Sequence, residues 1–134
     1  MSGLMVNIDV DDLEQGVAFY RAAFGLTVGR RFGGGMVELL GLPAPVYLLV
    51  KPAGSTASPS GASKRDYSRH WTPVHIDVVV ENISAAVARA EQAGAVLEAP
   101  VTSANWGYMA LMADPFGHGF CLLQFNERGY DALL

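Results

Sequence analysis

Apolar and polar residues alternate along this chain with two different periods, and the pattern is written twice. Val6, Ile8 and Val10 alternate with Met5, Asn7 and Asp9, a period of two that predicts a strand. Leu13, Val17, Tyr20 and Phe24 then recur at helical spacing as a buried stripe. Asp11 or Asp12 stands at the cap, Gln15 follows in a capping-box position, and Gly25 supplies the stop. Residues 26–32, 36–40 and 46–51 read as strands, the first two joined by a turn at Gly33-Gly34-Gly35. The same plan returns at an offset of 70 residues, with Met5 falling on His75, Val10 on Val80, Val17 on Val87 and Ala23 on Ala93. Residues 75–80 alternate as a strand, Asn82 caps a helix carrying Ile83, Val87 and Ala90, and Gly94 ends it. Residues 95–98, 108–112 and 120–125 read as strands, with Asp114-Pro115-Phe116-Gly117 as a strong turn.

A fixed-period repeat sets the architecture. The expectation is an α+β chain of two βαβββ modules with a cavity between curved sheets, lined by residues at paired positions. Module one spans 4–51, a linker 52–73, module two 74–126 and a tail 127–134, all within one domain of 1–134. The linker, rich in Gly, Ser, Ala and Pro, reads as a plain tether, or else as a cover for a cavity mouth through Tyr67, His70 or Trp71. The tail reads as docking on the sheet or on a second subunit.

Composition narrows the function. A chain of 134 residues supports one compact core, and two modules of about 60 residues each would be marginal apart. With 51% hydrophobic and 16% charged residues it is not disordered. A net charge of −4 offers no basic footprint, so nucleic acid is not an expected partner. The single cysteine, Cys121, permits no internal disulfide and suits a reducing cytoplasm. The first residues show neither a basic start nor a long apolar run, so no signal peptide, membrane span or membrane partner is expected. The glycine run joins strands and opens no helix, so it is no phosphate loop, and no G-x-S-x-G nucleophile elbow occurs.

Three stretches, IDVDDLEQGVAFYRAAFGL, HIDVVVENISAAVARAEQAGA and WGYMALMADPFGHGFCLLQF, resemble the vicinal oxygen chelate superfamily. That group includes glyoxalases, extradiol dioxygenases, fosfomycin-resistance transferases and the metal-free bleomycin-resistance proteins. The resemblance covers nearly the whole chain and implies the glyoxalase/bleomycin-resistance-like fold and a homodimer. It also places the superfamily's metal ligands, two imidazoles and one or two carboxylates, at Met5, Leu48, His75 and Cys121. Leu48 is the loosest of these, and no shift within residues 46–51 finds a histidine or carboxylate. Only His75 keeps a usual ligand, and sulfur donors at Met5 and Cys121 do not suit Mg, Mn or Fe(II). A Met-His-Cys copper site is the remaining metal alternative. The expectation is therefore no metal and no cofactor.

Strand alternation puts Asp77 beside His75 and Asn7 beside Met5, with Cys121 and Leu48 on the same cavity wall. His75 and Asp77 are candidate catalytic residues as an acid–base pair, or a structural pair, with Arg30 or Arg31 as other partners for Asp77. Asn7, Met5, Leu48, Trp106, Tyr108 and Cys121 are candidate ligand-binding residues. Glu38 and His118 read as solvent-facing, and Cys121 as an inert thiol. The favoured function is metal-free binding of a small organic ligand, of resistance or sequestration type. The alternative is a lyase, isomerase or dioxygenase using a divalent metal or the His75/Asp77 pair.

Overall fold

The computed structural model describes residues 2–134. Each copy of the repeat begins with a strand that runs into a side-chain-capped helix. In the first, β1 (Val6–Val10) leads to α1 (Leu13–Phe24), whose cap Asp12 accepts from Gln15 N at 3.0 Å. In the second, β5 (Ile76–Val79) leads to α2 (Ile83–Ala93), whose cap Asn82 accepts from Ala85 N at 3.0 Å. Caps, first helical residues and accepted donors all keep the 70-residue offset, so the repeat holds at the level of single hydrogen bonds. Left-handed Gly25 and Gly94 end the two helices, as their lack of a Cβ allows.

After α1 come β2 (Thr27–Phe32), β3 (Met36–Leu40) and β4 (Val46–Val50). They form a four-stranded sheet of order β1-β4-β3-β2, with β1 parallel to β4. After α2 come β6 (Val96–Leu97), β7 (Thr102–Ala104), β8 (Gly107–Ala113) and β9 (Gly119–Phe125). The second sheet has order β5-β9-β8-β6, with β5 parallel to β9 and β7 added on β8. This is the expected mixed α+β plan of two βαβββ modules. Strand β7, whose three residues are all exposed, is an addition to it.

The chain divides into two compact units, one reaching Ser68 and the other running from Arg69 to Leu134. In the first, Ile8, Val10, Val37, Leu39 and Leu48 pack beneath Leu13, Val17 and Tyr20 of the helix. In the second, Val78, Ala110, Met112, Phe120 and Leu122 pack beneath Ile83, Val87 and Ala90. One face of each sheet is thus covered by its own helix. The residues of opposite parity form a second, open face, and those faces carry the polar chemistry.

The expected plain tether is corrected in part. Residues 54–65 fold back through a Thr56–Lys64 bridge and a Gly54–Arg65 backbone bond. Arg65 Nε donates to Asp9 Oδ2 at 2.7 Å, and Tyr67 Oη donates to Lys51 O at 2.6 Å. Together these bonds fasten this segment onto the first unit. The tail docks as a 3₁₀ turn (Gly129–Leu133), held where Tyr130 meets Trp106 and Phe125 at 5.5 and 4.8 Å between ring centroids. No helix among the described residues is long and apolar enough to cross a membrane.

Candidate functional site

On the open face of the second sheet, parallel pairing sets Asp77 of β5 beside Cys121 of β9. His75 lies two residues ahead on the same strand path, and its Nε2 stands 3.1 Å from Asp77 Oδ1. About a third of each side chain is exposed, 32% for His75 and 39% for Asp77, so a ligand can reach both. Cys121 is buried beneath them. Burial first, then the charge and hydrogen bond of Asp77, pushes its thiol up to about 11. It stays protonated at neutral pH. Leu111 pairs with Cys121 and Met109 with Leu123 across β8 and β9, giving the polar pair an apolar floor. The indole of Trp71 completes the site, 4.6 Å from the His75 ring.

The open face of the first sheet has closed on itself. Glu38 of β3 faces Tyr47 of β4, and its side chain is only 8% exposed. Its Oε2 accepts from Arg30 Nη2 at 2.6 Å and Tyr47 Oη at 2.7 Å, and its Oε1 accepts from Arg30 N and Nε at 3.1 Å. Glu38 is therefore buried in an ion pair, correcting its solvent-facing reading. The Arg30 and Tyr47 hydrogen bonds pull its carboxyl down from 4.5 to about 2. A depressed carboxyl stabilises the fold above its unfolded value and loses that contribution as protons bind. The expected result is stability that declines as pH falls from about 4.5 towards about 2, with Glu38→Gln showing lower stability at neutral pH and a flattened acid limb. Urea denaturation across that window checks it.

Other expected site residues go elsewhere. Leu48 pairs with Ile8, on the face covered by α1, and is fully buried. The residue of that strand facing Asn7 is Tyr47, so the register of β4 corrects the sequence reading by one position. Met5 precedes β1 and is 61% exposed, outside the core. Asn7 is exposed on the open face of the first unit. Tyr108 pairs with Gln124, whose Oε1 accepts from Ile83 N at the start of α2, so Tyr108 has the parity opposite to Cys121. Trp106 belongs to the aromatic cluster that docks the tail. His118 is half-buried, not solvent-facing, with Nδ1 3.0 Å from His70 Nε2. Arg30 and Arg31 pair with Glu38 and Glu14, which leaves His75 as the partner of Asp77. Sequence reasoning weighed Trp71 only as part of a cover; its place beside His75 depends on the chain folding back over β9, which periodicity does not record.

The family profile described as a glyoxalase-like domain matches residues 5–123, nearly the whole chain. The chain belongs to the glyoxalase-like family. Among solved structures it is similar to the fosfomycin resistance protein FosX of Listeria monocytogenes, at 16% identity and a TM-score of 0.73 over 100% of this chain and 99% of that one. It is also similar to TioX of a Micromonospora species, at 19% identity and a TM-score of 0.69 over 94% and 100% of the two chains. Lactoylglutathione lyase of Agrobacterium tumefaciens matches at 17% identity and a TM-score of 0.62, over 92% and 94%. No curated protein sequence matches the chain. The glyoxalase/bleomycin resistance/dioxygenase superfamily expected from the sequence is thereby established, and with it the fold.

The superfamily's usual metal ligands are only partly represented in this chain. Within each unit the register is alike, Asn7 facing Tyr47 as Asp77 faces Cys121, so the residues at the expected ligand points are Met5 and Tyr47 in the first unit and His75 and Cys121 in the second. They comprise an exposed thioether, a phenol committed to Glu38 and Arg30, an imidazole and a protonated thiol. That set does not fit a hard divalent ion, which takes carboxylate and water oxygens.

Proposed function

We propose that this glyoxalase-like protein binds a small organic molecule on the open face of its second sheet, and that His75 and Asp77 handle the polar end of that molecule. The observation that carries this reading is the His75–Asp77 pair at 3.1 Å, half-exposed above an apolar floor. Small-molecule sites combine apolar walls with a few convergent polar groups in this way. With the Nε2 proton directed at Asp77, Nδ1 is the nitrogen able to accept a proton from the ligand. A role in sequestration or resistance fits a fold shared with a protein named for fosfomycin resistance. The buried free thiol of Cys121 suits a reducing cytoplasm. A homodimer belongs to the same reading, supported by the exposed apolar Val74 just before edge strand β5 and Val79 at its end.

The test is a thermal-shift screen of small aromatic compounds with wild type, His75→Ala and Asp77→Asn, since a ligand specific to the native state raises the melting temperature. For a binder, His75→Ala should weaken affinity by about tenfold and leave binding measurable. For an acid–base enzyme, the same change should abolish turnover and leave affinity nearly intact. A screen in which no compound stabilises the wild type, or in which both variants match it throughout, removes the reading.

One observation favours a second reading. The donor atoms of His75, Asp77 and Cys121 lie within 4.8 Å of one another, a nitrogen, oxygen and sulfur set suited to Zn²⁺. Stabilisation by Zn²⁺ that disappears in Cys121→Ser would select it over the metal-free form.

A further inference from the structure

We infer that Trp71 is a positioning residue for His75, and that the strap of residues 69–71 and the bare backbone of Gly119 exist to seat it. The inference rests on the reading that His75 is a polar group the ligand meets.

Three consecutive side chains anchor the strap to the second unit. Arg69 forms a two-pronged pair with Glu98, its Nη2 at 2.5 Å and its Nε at 2.6 Å from the two carboxylate oxygens. This fork-on-fork geometry fixes the guanidinium in plane and direction. His70 meets His118 at 3.0 Å, and its backbone N–H donates to Gly117 O at 2.9 Å. Trp71 lies on Gly119 at the start of β9. A Cβ added at Gly119 would stand 2.1 Å from Trp71 Cε3, 2.2 Å from Trp71 Cζ3 and 2.8 Å from Arg69 Nη2. Any side chain there would expel the indole. The Arg69 guanidinium, 5.4 Å from the indole centroid, adds a cation–π contact.

From this seat the indole meets the His75 ring at 4.6 Å and 38°. Thr72 Oγ1 donates to Val74 O and folds the short connection between them. The imidazole is therefore held by Trp71 against its ring and by Asp77 at its Nε2. A single carboxylate hydrogen bond leaves a half-exposed ring free to pivot about it. A second contact by a rigid ring removes that freedom before the ligand arrives, and a site that is fixed in advance avoids that ordering cost on binding.

The test is NMR of the His75 side chain in the free protein, so it reads the clamp without any ligand. In wild type the His75 ring protons should be displaced upfield by the indole, and the ring should be as ordered as the neighbouring backbone of β5. In Trp71→Ala the displacement should vanish and the ring's order parameter fall clearly below that of the backbone. Trp71→Phe should restore most of the order. Gly119→Ala should reproduce the loss with Trp71 still present in the chain. Thermal melts verify that each variant is folded, and Trp71→Leu replaces Trp71→Ala if the latter is not. A His75 ring equally ordered in the tryptophan variants and in Gly119→Ala overturns the inference. If the clamp is seen and no compound binds, the ligand-binding reading fails and the clamp stands.

Discussion

Replacing Gly107 with alanine is expected to destroy the second unit. Gly107 opens β8 with φ near +147°, and a Cβ there would stand 1.9 Å from the backbone oxygen of Gln124. That oxygen cannot move aside, because Gly107 and Phe125 are paired across β8 and β9. The variant must either break the end of this ladder or force alanine into a conformation it rarely adopts. Breaking it also displaces Trp106 and Phe125, the seat of the tail. Point changes costing about 4 kcal/mol or more are exceptional and come from causes of this kind. The expected outcome is insoluble protein, or a melting transition far below that of wild type. Gly34→Ala is the control: nothing lies within 4 Å of its added Cβ, so it should change stability by no more than about 0.5 kcal/mol. A Gly107→Ala protein that melts like wild type would contradict the backbone geometry.

Leu48→Ala should cost about 2–5 kcal/mol, the usual range for truncating a buried leucine to leave a partly collapsed cavity. Leu48 is fully buried against α1, and a Cβ added at Gly16 would lie 3.2 Å from both its Cδ1 and Val10 Cγ1. The hole opens between helix and sheet, where backbone on both sides limits collapse. Leu48 is also the residue whose two readings separate most cleanly. As a cavity-wall residue it would weaken ligand binding when truncated. As core it should lower the urea midpoint and leave the ligand dissociation constant unchanged under conditions where the variant is folded. The register with β1 predicts the second outcome.

Leu48 also shows where sequence reading stops. Residues 46–50 read Val-Tyr-Leu-Leu-Val, with no charged or amide side chain to mark a face, so alternation gives little clue to which parity faces the helix. Only the pairing of Ile8 with Leu48 decides it. In β1 and β5 the polar residues mark the open face, and Asn7, His75 and Asp77 were legible for that reason. Both helices were legible because their caps and stops are chemically specific. Glu38 was misread because its partners sit on neighbouring strands, and antiparallel register, absent from local sequence, brings Arg30 and Tyr47 to it. The pairing of His70 with His118 spans 48 residues and has the same origin. Strand β7 went unseen because three small exposed residues carry no pattern.

The pairing order of the sheets has a consequence for synthesis. Each unit is closed by a parallel pair between its first strand and its last, β1 with β4 and β5 with β9. A nascent chain can complete the first unit once its strand at 46–50 and the fold-back to Ser68 have emerged. The His75–Asp77 strand waits in the same way, one edge unpaired, for residues 119–125 to arrive. Long-range parallel pairing is slow to form, and a waiting edge is prone to pair wrongly. In both halves of the chain the first strand is therefore open to wrong pairing until its last strand arrives, and lower expression temperature should favour recovery before any change in the folded protein's stability is needed.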